Sequence, residues 1–536
     1  MKKQSTTKGF AILSAAGIIV KLLSLLYIPF LKEIITLNGS GIYQASYKVY
    51  VWIYVIANSG IPVAISKLVS EYIALQNYKD AVKSFKMARF MMLVIGTIMS
   101  LFMFIFAGPL ARFVNFEDAK LAIMALAPTI FFTSIVSSYR GYFQGRGNMT
   151  PTAISQILEQ IINTIFTLVF AAMFMKYGVA AGCAGGTLGT SVGSLVAAIY
   201  LIVVYEKNKI IKVPVGTKEL DKSHYTNKQL FKRIIHYGLP LVICVGLQYS
   251  GDIIDLGIVK GRLLDSGLSK EISNEKFALF GFYRTLIGVP ITLISALAAS
   301  ILPSISGAYS LRDRSSVESK VNYALRFCFL VAVPSAIGLA VLNDSAFQLL
   351  FNENQGGSLL LYGSMVLVLN AIVLIQTSIL QSIGRLYAST FYMVLGVIGK
   401  IGTNYILVGI PSINILGAIV GNMVFFIIPL ILNYRLINKE LKIKISLINH
   451  FKKPFIASLL MGMAVYGIHT VSQFLLKGFV KGYINNAIST ALAVGVGVFI
   501  YLYGLAFTKG ITQEDLGEFP TKVKRIIPKF IIRRIN

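Results

Sequence analysis

Fourteen stretches of about 20 mostly apolar residues recur along this chain, each long enough for a helix to cross the hydrocarbon core of a bilayer. They run at roughly 9–31, 43–68, 88–108, 120–139, 151–174, 178–204, 234–259, 277–304, 321–342, 357–381, 388–409, 413–434, 454–473 and 484–506. Backbone polar groups in lipid must be satisfied within the protein, which leaves helices or closed barrels, and apolar runs of this length select helices. The chain is therefore predicted to be an all-α polytopic membrane protein with 14 transmembrane helices. Composition agrees: 55% of the 536 residues are hydrophobic, 13% are charged and the mean hydropathy is +0.72. A soluble domain has about 45–50% apolar and about 25% charged residues. An ordinary soluble protein, a disordered chain and a nucleic-acid binder are excluded on this ground. The first run contains Lys21 and continues past Ser14-Ala15-Ala16, so it reads as a retained span and not a cleaved signal peptide. The run 178–204 is the weakest, because it is rich in glycine.

A formal net charge of +28 in so apolar a chain has to be located. With both termini in the cytoplasm, 34 of the 50 lysines and arginines fall in cytoplasmic segments and ten in outer loops. That asymmetry follows the positive-inside rule and predicts a multi-pass protein of the cell membrane with both termini cytoplasmic. The basic tail (Lys522, Lys524, Arg525, Lys529, Arg533, Arg534) is expected to lie on anionic lipid. The remaining six basic residues lie inside spans: Lys21, Lys48, Lys67, Arg284, Arg326 and Lys400. Three scattered cysteines and four histidines without ligand spacing supply neither a disulfide framework nor a metal centre.

The sequence also repeats weakly. Tyr47-Lys48 matches Tyr283-Arg284 at an offset of 236, and the same register pairs Ser70 with Ser306. At an offset of 237, Gln144 and Gly147 match Gln381 and Gly384, and Asn163 stands opposite Lys400. An even number of spans per repeat makes the halves parallel, related by an axis along the membrane normal. The predicted organisation is a six-helix bundle over 1–206, a basic cytoplasmic linker over 207–233, a second six-helix bundle over 234–436, helices 13 and 14 over 437–508, and a basic tail over 509–536. Such an architecture holds its substrate between the halves and exposes it alternately to either side.

Ionisable groups within spans cost about 2.5–3.5 kcal/mol each on insertion scales, so they face a cavity or a partner. Lys21 sits near the centre of span 1, about ten residues (about 15 Å of helix) from either end, too deep to snorkel comfortably. Lys48 and Arg284 occupy equivalent repeat positions and are candidates for a groove; Lys400 lies midway along span 11, and Lys67 and Arg326 are near enough to span ends to snorkel. Asp252 and Asp255, three apart on one helix face, either bind a cation or proton or neutralise Arg284. Glu159 either orients a cytoplasmic gate or pairs with a basic residue. In-span cations outnumber in-span acids six to three, which suits an anionic substrate with phosphate oxygens. No Gly-x-x-x-x-Gly-Lys-Ser/Thr loop and no nucleophile–base constellation appears, so the chain reads as neither a nucleotide hydrolase nor another enzyme, and no cofactor is called for. Two other classes stay open: a cation-coupled multidrug exporter, and a membrane scaffold that docks cell-wall synthesis enzymes.

Three segments then point to a family. Gly60-Ile61-Pro62-Val63-Ala64-Ile65-Ser66-Lys67-Leu68-Val69-Ser70-Glu71, Arg140-Gly141-Tyr142-Phe143-Gln144-Gly145 and Pro151-Thr152-Ala153-Ile154-Ser155-Gln156-Ile157-Leu158-Glu159-Gln160 resemble the polysaccharide-transporter branch of the MATE-like (MOP) superfamily. Within that branch the chain is similar to lipid II flippases of the MurJ and stage V sporulation protein B kind, over essentially its whole length. The resemblance implies a flippase that moves an undecaprenyl-diphosphate-linked peptidoglycan precursor from the inner to the outer leaflet, and the chain is expected to work as a monomer among membrane lipids. It also implies a central groove whose basic residues engage the diphosphate. Lys21 falls at a basic position of the family's first helix, and Arg284 at the basic position of the eighth, before Gly288-Val289-Pro290. The chain departs from the family at Tyr27 and Asn163, where other members carry basic residues, and its second helix offers only Lys48. Carriers of other polyprenyl-linked polysaccharides, such as teichoic acid or capsule, share the same pattern.

Overall fold

A computed structural model describes residues 6–208, 225–442, 446–480 and 482–508. The basic tail and most of the 207–233 linker lie outside the described residues. The described chain is all-helical, as the apolar runs require: α1 (Thr6–Asn58), α2 (Ile61–Ala74), α3 (Tyr78–Ile105), α4 (Ala107–Phe113), α5 (Lys120–Gly145), α6 (Thr150–Met175), α7 (Val179–Lys207), α8 (Asn227–Asp265), α9 (Lys270–Ser310), α10 (Arg314–Val341), α11 (Asn343–Phe351), α12 (Gly357–Ser382), α13 (Leu386–Leu407), α14 (Leu416–Leu441), α15 (Leu447–Leu476) and α16 (Gly482–Phe507). Thirteen of its helical segments are long and apolar enough to cross a membrane, against the fourteen spans predicted. The difference lies in the first segment, Ile12–Ala74, whose 63 residues are about three times what one crossing needs. Its backbone leaves helical geometry at Thr36 (φ 68°, ψ 172°). It breaks again at Ser59-Gly60, inside the predicted span 43–68, where Pro62 sets the first turn of α2.

The packing is that of a protein dissolved in hydrocarbon. Large apolar side chains such as Phe90, Ile105, Phe391, Met463 and Phe499 stand on the outside of the helices. Small polar groups such as Ser134, Thr167, Ser194, Asn433 and Ser458 are buried. Lipid offers no hydrophobic drive for helices to associate, so close packing of small side chains and interior hydrogen bonds do that work.

The chain divides into two compact units, Met1–Ala278 and Leu279–Asn536, a division that falls within α9 and not at the linker between the predicted repeats. In the first unit α7 packs against α5 and α6, α1 against α6, and α8 against α1 and α2. The glycines that make span 178–204 look weak on the sequence are what allow this. Gly185, Gly189 and Gly193 recur every fourth residue and bring α7 onto the α6 backbone; a Cβ at Gly193 would lie 2.7 Å from the Glu159 carbonyl oxygen. An aromatic cluster of Phe85, Tyr139, Tyr142 and Tyr205 joins α3, α5 and α7, with Phe85 and Tyr142 rings 4.5 Å apart. The ends of the helices carry local signals: the Asn77 side chain accepts from the Asp80 N–H at the start of α3, and Thr226 with Gln229 forms a capping box ahead of α8. In the second unit α10 packs against α12 and α15, α14 against α12 and α13, and α15 pairs with α16.

Candidate functional site

The first unit holds an open-sided cavity of about 400 Å³, within the size range of small-molecule sites. Helical spacing builds its walls. On α1, Gly17, Val20 and Ser24 lie on one face, followed a turn later by Tyr27. On α6, Gln156, Glu159, Gln160 and Asn163 follow the i, i+3, i+4, i+7 pattern of a single stripe. Tyr47 comes from the second half of α1, Arg140 from α5 and Thr190 from α7. Val20 is the only aliphatic side chain in the lining, an unusual wall for a space between membrane helices.

The polar groups are organised by two networks. Arg140 donates through Nη2 to Glu159 Oε2 at 2.7 Å and through Nε to Ser155 Oγ at 2.9 Å. Both side chains keep about a fifth of their surface exposed, at 18% and 23%. Glu159 is thus found in an ion pair with a basic residue. Arg140 itself is a correction. Its place at the end of the fourth apolar run puts it in a cytoplasmic loop, yet α5 continues through Gly145 and carries Arg140 as part of the cavity wall. The polar stripe on α6 is the sequence signal that such a partner exists. In the second network, Thr167 and Thr190 hydroxyls donate to Asn163 Oδ1 at 3.0 and 3.1 Å, and the Tyr47 hydroxyl bonds Thr190 Oγ1. The Tyr27 and Tyr43 hydroxyls meet at 3.3 Å.

Lys21 lies on the α1 face that carries Gly17 and Ser24. It is half-buried and makes no hydrogen bond or ion pair with the described residues. Lys48 is half-buried on α1 with its Nζ 4.9 Å from the Phe277 ring centre. On α8, Asp252 is half-buried and Asp255 buried; neither is a bare carboxylate, and neither lines the cavity. Lys67 is exposed and stacks its ammonium 3.7 Å from the Tyr237 ring, as a snorkelling residue can. In the second unit, Arg284 is half-buried on α9 and, like Lys21, has no hydrogen bond or ion pair to the described residues. Its neighbour Tyr283 is anchored by a hydrogen bond from its hydroxyl to the Gly363 carbonyl at 3.1 Å. Lys400 on α13 is buried at 4% exposure, with Nζ 5.7 Å from the Phe425 ring. No cluster of three His, Cys, Asp or Glu side chains suited to a metal ion occurs among the described residues.

Residues 6–247 match the family described as "Polysaccharide biosynthesis protein". Two proteins of Bacillus subtilis (strain 168) are similar over nearly the full length. Stage V sporulation protein B is 26% identical over 99% of this chain and 100% of its own, and Lipid II flippase MurJ is 23% identical over 95% and 96%. Among solved structures, the lipid II flippase MurJ in an inward closed conformation superposes with a TM-score of 0.63, covering 94% of this chain and 98% of that one at 15% identity. An inward-facing multidrug resistance MATE transporter of the MOP superfamily gives a TM-score of 0.61 at 18% identity, over 79% and 99%. This multi-pass membrane protein thus matches the polysaccharide biosynthesis protein family through residues 6–247, and over most of its length it has the fold of the MurJ and MATE transporter structures.

Proposed function

We propose that this protein is a flippase for an undecaprenyl-diphosphate-linked cell-wall precursor, lipid II in the first instance, and that it carries out no chemistry on it. The observation that carries this reading is the state of Lys21 and Arg284. Each is a half-buried cation within a membrane helix, and neither has a hydrogen bond or ion pair among the described residues. Burying an uncompensated charge is costly, so such groups are retained where a ligand supplies the missing anion. A diphosphate does so, with Arg284 able to take two of its oxygens at once. The similar proteins named for lipid II flipping and for sporulation support the same substrate class.

In this reading both termini are cytoplasmic, the headgroup enters from the inner leaflet while the polyprenyl tail stays in lipid, and alternating access delivers it to the outer leaflet. Lys21, Arg284 and Lys48 are the residues proposed to neutralise the diphosphate; Asp252 and Asp255 are the candidates for a coupling ion. The test is complementation of cells depleted of their lipid II flippase, read out by labelling of lipid II at the outer leaflet. Lys21→Ala and Arg284→Ala are each expected to abolish outer-leaflet labelling while the protein still reaches the membrane. Normal labelling with both substitutions overturns the assignment, and loss confined to Asp252→Asn or Asp255→Asn points instead to a cation-coupled exporter.

A further inference from the structure

We infer that the cavity bounded by α1, α5, α6 and α7 recognises the neutral glycosyl part of the lipid-linked substrate, with the Gln156 and Gln160 amides reading its hydroxyl and N-acetyl groups. This rests on the flippase reading above and specifies what that reading leaves open, namely how a carrier tells a sugar-loaded lipid from a bare one.

The chemistry of the wall narrows the class of ligand. The one cation among the lining residues, Arg140, is held by Glu159 at 2.7 Å, so the charge available to an anion is Lys21 on the α1 face and not the wall around the α6 amides. An organic cation needs an uncompensated acid, and the one acid among the lining residues is the other half of that pair. The apolar part of the wall is Val20 with the rings of Tyr27 and Tyr47, which suit the C–H faces of a sugar ring. A ligand that fits this wall is neutral and rich in hydrogen-bonding groups.

The donors and acceptors left over fit such a ligand. Gln156 makes no side-chain hydrogen bond with the described residues. Gln160 makes one long one, from Nε2 to Thr164 Oγ1 at 3.3 Å, which leaves its carbonyl oxygen unused. The Asn163 carbonyl is taken by two threonine hydroxyls, which fixes the orientation of the amide, and the Asn163 side chain also bonds the Tyr47 hydroxyl, so the amides left over are those of Gln156 and Gln160. Paired donors and acceptors of this kind, next to the phenols of Tyr27 and Tyr47, match sugar hydroxyls and an acetamido group. Lys21, on the α1 face that lines the cavity, would hold the diphosphate that joins that sugar to its lipid. A site that hydrogen-bonds a polar substrate group discriminates strongly against the analogue lacking it, because its own polar groups are then left unpaired.

The experiment uses the purified full-length protein in lipid nanodiscs and two probes: undecaprenyl diphosphate, and the same lipid carrying the N-acetylglucosaminyl-N-acetylmuramyl-pentapeptide headgroup. The readout is the ratio of their Kd values. The wild type is expected to favour the glycosylated lipid, and Gln156→Leu/Gln160→Leu to cut that preference roughly 10-fold, about the loss of one net hydrogen bond. Gln160→Glu, which keeps the shape, is expected to lower the preference as well, guarding against a variant that only packs badly. Lys21→Ala is expected to weaken both lipids together. A wild type that binds both lipids equally, or variants that keep the wild-type ratio, overturns the glycosyl site and leaves the flippase reading standing. If neither lipid binds the wild type, the flippase reading falls and this inference with it.

Discussion

At the residue scale, the distinction that matters is between cations that have a partner and cations that do not. Arg140 and Glu159 are both partly exposed, so their pair lies between a surface ion pair, worth about 0–1 kcal/mol, and a fully buried one, whose breakage costs about 3–5 kcal/mol. Removing either partner alone, as Arg140→Gln or Glu159→Gln, is therefore expected to destabilise the protein by roughly 1–3 kcal/mol. The double substitution should recover most of that loss, since no charge is stranded. Thermal unfolding in detergent for the four proteins of the cycle checks this, and equal, additive losses would show that the two side chains do not act as a pair. Lys21 and Arg284 stand out in the sequence because each is a charge inside an apolar run. Arg140 does not, because it stands at the very end of its run, where a loop arginine and a last-turn arginine look alike. Only its partner across the cavity distinguishes them, and that contact spans 19 residues of sequence.

At the scale of elements, the apolar runs located the helices well and their breaks poorly. Leu37-Asn38-Gly39-Ser40-Gly41 reads as the loop between the first two spans, yet the chain is helical there and turns at Thr36 alone. Thr36 adopts φ 68° and ψ 172°, a region essentially reserved for glycine, which costs of order 1–3 kcal/mol for other residues. Two local bonds hold it: the Gly39 N–H donates to Thr36 Oγ1 at 3.4 Å, and the Ser40 hydroxyl to the Thr36 carbonyl at 2.8 Å. Thr36→Gly is expected to raise the unfolding temperature, because relief of the backbone outweighs a long hydrogen bond. Thr36→Val, which keeps the strain and loses the Oγ1 acceptor, should lower it. A lower unfolding temperature for the glycine variant would mean that the bonds at Thr36 outweigh its strain. The glycines of α7 misled in the opposite sense: in isolation they weaken a helix, but against α6 they are the condition for contact. Gly193→Val places its side chain on the Glu159 carbonyl and is expected to separate α6 from α7, seen as loss of a monodisperse peak in size-exclusion chromatography.

For the whole molecule, the two compact units divide within α9 and not at the boundary of the predicted repeats. The α8 helix and the start of α9 belong with the first unit because their side chains reach α1: the Asn274 amide donates to Asn38 Oδ1 at 2.7 Å, and Gln44 donates to the Ala278 carbonyl at 3.2 Å. A repeat in the sequence records how a chain came to be arranged, whereas compactness records which side chains meet, and only the first can be read along one dimension. Orientation in the bilayer is the opposite case, since it is fixed by where lysines and arginines fall and not by any contact within the fold. The 34-to-10 division of basic residues therefore makes its own prediction. The three native cysteines are all buried, so a single introduced cysteine can be read against a quiet background. Lys176, between α6 and α7, and Arg312, between α9 and α10, are both exposed and lie on opposite sides in the charge-based topology. In intact cells a membrane-impermeant maleimide should label Lys176→Cys and spare Arg312→Cys, which should react only once the membrane is opened. The reverse pattern would invert the topology, and with it the membrane side assigned to the end of the fold that carries Arg140, Glu159 and the α6 stripe.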